Sequence, residues 1–234
     1  MRRKTQKHYI WVCILLAILF VSPRPVLCAP ANPPNPVPRS GDKLPRISIP
    51  DKLTLEEKEY LGIPKNKNSA LDNIKAKLIL IEFLSTNCGH CVSSAPVFNE
   101  IYKAIELDPN LRTNIKLLGI ATGNTPTEVA EFKSKFSIPF PILPDTEFKA
   151  HQAVGQPRVP FIVIGQKDRQ NRWAVVSAEW GLTDLMASRS IDNPENNWVA
   201  VTLEGSEIFP VQEFIEELKK ILVSHPVDLT VKKP

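Results

Sequence analysis

Two runs rich in isoleucine and leucine, AKLILIEFL at residues 76–84 and NIKLLGIATG at 114–123, constrain this chain more than any other feature. Neither alternates polar with apolar positions, so each reads as a strand buried on both faces. Between them VFNEIYKAIEL has apolar residues at 97, 98, 101, 102 and 105, a helical stripe. A strand, a crossover helix and a second strand call for parallel pairing, with further elements covering the sheet.

The rest of the pattern continues in kind. TPTEVAEFKSKF (125–136) opens with Thr, Pro and an acidic residue, a good helix start. FPILPD (140–145) is a short extended piece, followed by a helix around EFKAHQAV. VPFIVIG (159–165) and RWAVVSAEW (172–180) are strands joined by the polar turn QKDRQN, and VQEFIEELKKIL (211–222) is an amphipathic helix. A short helix within LTLEEKEYLGI (53–63) precedes them. The parallel first half and antiparallel last strands imply an α/β fold: a mixed central sheet with helices on both faces.

The net charge of +4 is unevenly placed. Residues 1–29 hold Arg2, Arg3, Lys4, Lys7 and Arg24 and no acidic residue, so the remainder is close to neutral and gives nucleic acid no basic surface. The basic start leads into the apolar run IWVCILLAILFV (10–21), shorter than the about 20 residues of a spanning helix and suited to a signal peptide. Ala29-Pro30-Ala31 offers a small-x-small cleavage site; retention as an anchor and lipidation at Cys28 are the alternatives. Five prolines within APANPPNPVP (29–38) suggest a semi-rigid spacer. The expected organisation is a signal peptide or anchor at 1–29, a Pro-rich linker at 30–45, one domain at 46–225 and a tail at 226–234. Export places the protein in the bacterial periplasm or on the outer face of the cytoplasmic membrane.

Of the four cysteines, Cys13 and Cys28 lie in the leader, which leaves Cys88 and Cys91 to the mature chain. A disulfide between residues three apart closes too small a loop to act as a staple. Where a strand gives way to a helix, Cys88 stands at the helix N-terminus, whose unpaired N–H groups favour a thiolate. Cys91, one turn on, is shielded and able to resolve a mixed disulfide. Gly89 lets the backbone turn tightly, and a charged His90 would stabilise the thiolate and make the disulfide more oxidising. A structural zinc site needs four ligands, and the mature chain adds only His90, His151 and His225. Thiolates also suit Cu(I), which keeps a copper chaperone as an alternative. Haem attachment needs histidine directly after the second cysteine, where Val92 stands.

Ile81-Glu82-Phe83 followed by Cys88-Gly89-His90-Cys91 resembles the active-site segment of protein disulfide isomerases and thioredoxins, and the element order matches the thioredoxin fold. The resemblance implies that Glu82 relays protons for the second cysteine, that Pro96 kinks the helix, and that Val159-Pro160 forms the cis-proline loop facing the disulfide and shaping the client groove. The segments SALDNIKAKLILIEFL and GIATG…FKSKFSIPFPILPD resemble exported TlpA-like and ResA-like thiol–disulfide oxidoreductases, over about Ser69 to Gly181. That family implies an N-terminal extension and a central strand–helix insertion. Asn87 stands where the family usually has an aromatic residue, and 182–209 is longer than the family needs; WVAVTL within it suggests an edge strand. The function implied is disulfide exchange with client proteins, most simply as a reductase, as in cytochrome c maturation. A disulfide oxidase or isomerase and a non-enzymatic copper chaperone are the alternatives. The only cofactor implied is the Cys88–Cys91 disulfide itself, and the partners implied are cysteine-containing clients and a membrane redox protein that resets the pair.

Overall fold

The computed structural model describes residues 35–47, 53–65, 70–182, 184, 185, 201–203 and 206–224. The expected leader, the tail and much of 182–209, with Trp198, lie outside them.

The central strand is β1 (Leu78–Leu84), all seven residues of which are buried. It pairs in parallel with β2 (Ile115–Thr122) and antiparallel with β4 (Phe161–Lys167). Beyond β2 lies β3 (Ile142–Asp145), parallel, and beyond β4 lies β5 (Trp173–Trp180), antiparallel, giving the order β3-β2-β1-β4-β5. Near-continuous apolar runs form β1 and β2 because both faces are covered.

Strand alternation divides the core. Leu78, Leu80 and Leu84 face α2 (Gly89–Leu107), α4 (Pro126–Lys135) and α6 (Val211–Val223), meeting Phe98, Ile101, Phe132 and Phe214. Ile79, Ile81 and Phe83 face the other layer, which holds Leu61 of α1 (Leu55–Leu61) and Ala150 of α5 (Lys149–Ala153). Glu82 therefore falls on the α2 side of β1, in a place the strand period would give to leucine. A short helix α3 (Pro109–Asn114), capped by Asp108 with proline at its start, joins α2 to β2. At the far edge of the sheet β3 pairs with β2 and is followed by α5, the strand–helix order expected of a central insertion.

Two expectations change. Residues 35–45, assigned to a spacer by composition, are packed on the domain. Gly41 N–H donates to Val175 O (2.8 Å), Leu44 N–H to Trp173 O (2.9 Å) and Val175 N–H to Asp42 O (2.8 Å), while Leu44 is 3% exposed. The exposed edge of β5 supplies the partners that proline content alone does not reveal. The edge strand expected near WVAVTL is instead β6 (Val201–Leu203), which pairs antiparallel with β7 (Ser206–Ile208) in a separate two-stranded sheet.

Candidate active site

The chain leaves β1 at Leu84 through a turn closed by Cys88 N–H donating to Ser85 O (3.0 Å). Buried Asn124, in the loop between β2 and α4, fixes that turn. Its Oδ1 accepts from Thr86 N–H (3.0 Å) and its Nδ2 donates to Thr86 Oγ1 (2.7 Å). Cys88 is the N-cap of α2, with extended backbone (φ −87°, ψ 121°) and no side-chain cap bond. A serine or aspartate there would satisfy the helix N–H groups; a thiol leaves their partial positive charge at Sγ.

Cys88 is partly exposed and Cys91 is 1% exposed, and both are free thiols. Val92 N–H donates to Cys88 O (2.9 Å), so the two cysteines occupy the first turn, with Cys88 outward and Cys91 inward. Ser85 N–H donates to Cys91 Sγ (3.5 Å), but burial outweighs it and pushes the Cys91 thiol up, with the Cys88 and Glu82 charges acting in the same direction. Beneath Cys91 lies Glu82, 3% exposed, its pKa raised to about 8 by burial, opposed by the Ser94 hydroxyl and reinforced by Cys88. A carboxyl in that range exchanges protons near neutral pH.

The opposite wall is Val159-Pro160, joined by a cis peptide bond. Cys88 S–H donates to Val159 O at 3.6 Å, so this loop meets the exposed thiol directly. Gly181 N–H donates to Pro160 O (3.0 Å), and Trp180, 47% exposed, lies against Phe161 with ring centroids 6.2 Å apart. The structure thus brings Glu82, Cys88, Cys91, Val159 and Pro160 to one end of the sheet. His90 is exposed in the first turn of α2, and Pro96 lies inside that helix.

Gly89 differs from expectation. A Cβ placed on it would meet nothing within 4 Å, and it is the first residue of α2, so the turn does not require glycine. Asn87 finds a partner in Glu128 on α4: the Glu128 carboxyl is held below the usual range first by Thr125, and also by the Asn124 and Asn87 side chains. Sequence reasoning passed over Asn124 and Ser94. The signal for Ser94 was its place three residues after Cys91, on the same inward face of the helix.

A cavity of about 530 Å³ bounded by Lys75, Lys77 and Lys167 lies at the opposite end of the sheet, where β1 begins and β4 ends. Among the described residues no three His, Cys, Asp or Glu side chains are grouped to hold a metal ion, and no helix among them is long and apolar enough to cross a membrane.

A strand–dithiol–helix unit on a five-stranded mixed sheet, faced by a cis-proline, has the architecture of the thioredoxin fold. Residues 63–156 match the thioredoxin family model. It is similar in fold to a hypothetical protein from Sinorhizobium meliloti (TM-score 0.52, 13% identity, 86% of this chain and 92% of that one). The thioredoxin domain of a thiol-disulfide oxidoreductase from Bacteroides vulgatus aligns with a TM-score of 0.47 at 15% identity over 65% of this chain and 96% of that one. A secreted disulfide oxidoreductase from Mycobacterium tuberculosis aligns with a TM-score of 0.40 at 18% identity over 53% and 87%. No curated protein sequence matches the chain significantly.

Proposed function

We propose that the protein is an exported thiol–disulfide oxidoreductase that reduces disulfides of client proteins, with apocytochrome c as one client class. The observation that carries the exchange chemistry is the pairing of a partly exposed Cys88 with a buried Cys91 lying over Glu82. Cys88, as thiolate, attacks one sulfur of a client disulfide; a Cys88–client disulfide forms, and the other client sulfur leaves as a thiolate and takes a proton. Cys91 gives its proton to ionised Glu82, and its thiolate attacks Cys88 Sγ, releasing the second client thiolate. The client gains two electrons and the Cys88–Cys91 pair loses two; a reducing dithiol of a membrane partner returns them. Val159, Pro160 and Trp180 give the client segment an apolar wall beside Cys88. The leader-like residues 1–29 support export to the periplasm or the outer face of the cytoplasmic membrane, and the TlpA-like frame supports the reductive direction.

One feature supports a second reading. Exposed His90 stands beside Cys88 at the head of the helix, and a cation there stabilises the thiolate and favours an oxidase or isomerase. Equilibration against glutathione separates the two: a potential near the about −270 mV of thioredoxin supports the reductase, and one near about −180 mV overturns it. Cys91→Ser tests exchange itself. The variant is expected to accumulate covalent adducts with client proteins through Cys88, and to lose them when Cys88 is also replaced. No adduct, with tight Cu(I) binding by the wild type, would establish a copper chaperone instead.

A further inference from the structure

Ser94 is 9% exposed on the inner side of α2, and the exchange chemistry as written leaves it unused. Its Oγ lies 3.2 Å from Glu82 Oε1 and 3.0 Å from the Cys91 carbonyl oxygen. A hydroxyl carries one proton, and both a carboxylate and a carbonyl can only accept. When Glu82 is ionised the two acceptors compete for that proton, and the charged one prevails. When Glu82 is protonated its own O–H donates to Ser94 Oγ, and the serine proton is free to turn to the Cys91 carbonyl. Each proton that Glu82 gains or loses therefore reverses the Ser94 bond.

We propose that Ser94 is a positioning residue for the proton transfer between Cys91 and Glu82, holding the carboxyl beneath the thiol and reversing its hydrogen bond as the proton moves. This rests on the exchange reading above. The surroundings leave the serine with few competitors. The titratable groups acting on Glu82 and Cys91 among the described residues are Cys88 and these two themselves. At the register positions beside Glu82, β2 presents Gly119 and β4 presents Ile162, neither of which can donate from a side chain. Ser94 is thus the side-chain hydroxyl bonded to the carboxyl, and alanine there would leave ionised Glu82 without it.

The test is a titration of the Glu82 carboxyl carbon by NMR in the reduced full chain, for wild type, Ser94→Ala and Ser94→Thr. Beside it, the pH profile of mixed-disulfide resolution is measured with oxidised glutathione as the probe. The alanine variant is expected to move the Glu82 midpoint up by about one pH unit and to slow resolution about tenfold at pH 7, recovering as pH rises. Threonine, which keeps the hydroxyl, should restore both. In a Glu82→Gln background, Ser94→Ala should produce no further change in the profile. An unmoved midpoint in Ser94→Ala, or an equal shift with threonine, overturns the proposal. Failure of the exchange reading is recognised separately. A wild-type chain that resolves no mixed disulfide ends that reading, and the proposed role with it, even where the NMR midpoint moves with the serine.

Discussion

Glu82 is a charged side-chain type held where charge is disfavoured. It fills a strand position that packing would give to leucine, and burial raises its pKa from 4.5 to about 8. The sign of the linkage follows. Between those values the folded state holds a proton that the unfolded state has released, so stability falls as pH rises from about 4.5 to about 8. At pH 7 the penalty is about 3 kcal/mol at about 1.4 kcal/mol per unit. Glu82→Gln, which cannot ionise, is expected to raise the urea midpoint at pH 8 and flatten its decline across this window, while slowing mixed-disulfide resolution. A midpoint that declines as steeply as in wild type would refute a buried titrating acid. The cysteines were legible from their spacing because the chemistry lies within one helical turn. Glu82 and Pro160 came from resemblance, since spacing alone does not bury an acid or set a peptide bond. Gly89 opens the helix and does not form the turn before it, a one-residue difference that spacing does not resolve.

At the scale of elements, the site is held by pieces far apart in sequence. Asn124 belongs to the loop entering α4, yet it supplies both side-chain bonds that fix Thr86 in the turn before Cys88. Thr146 Oγ1 donates to Asn124 O (2.9 Å), and the Asp145 carboxylate accepts from Ala150 and His151 N–H at 3.0 and 2.9 Å. The start of α4, the end of β3 and α5 are thereby linked to the turn before Cys88. Asn124→Ala is expected to cost about 1–3 kcal/mol, since Thr86 N–H loses a partner in a partly buried place. It should also change the rate at which iodoacetamide alkylates Cys88, because the turn sets where the helix N-terminus points. Denaturant unfolding and alkylation kinetics check the two effects. A stability loss with unchanged alkylation would confine Asn124 to the scaffold. The helices and strands themselves were readable from periodicity, down to the capping signal Thr-Pro-x-Glu at 125–128, where the Thr125–Glu128 capping box forms. The bonds of Asn124 were not, because a lone asparagine in a loop carries no pattern.

The whole molecule closes its sheet with a segment that composition assigns elsewhere. Proline-rich chain looks unable to pack, and residues 35–38 hold two prolines. What composition cannot show is that β5 is an edge strand with unpaired backbone groups, which another stretch of chain can cover. Residues 41–44 do so, and the cover continues upstream. Asn35 Nδ2 donates to Gln152 O (2.9 Å), and a Cβ on Gly155 would sit 2.4 Å from Asn35 O, so that glycine, at φ +81°, admits the segment. The packed unit therefore starts before residue 46. A chain beginning at Ile47 should be less stable than one beginning at Ala31, because burial of Leu44 alone contributes about 2 kcal/mol and the β5 edge loses its partners. It should also self-associate through that edge, detectable by sedimentation, while Cys88, beyond the opposite end of the strands from residues 41–44, keeps its reactivity. Leu44→Asp in the longer chain separates cover from length: it should lower the urea midpoint without shortening anything. Equal midpoints for both variants and the parent would make 35–45 a passive spacer.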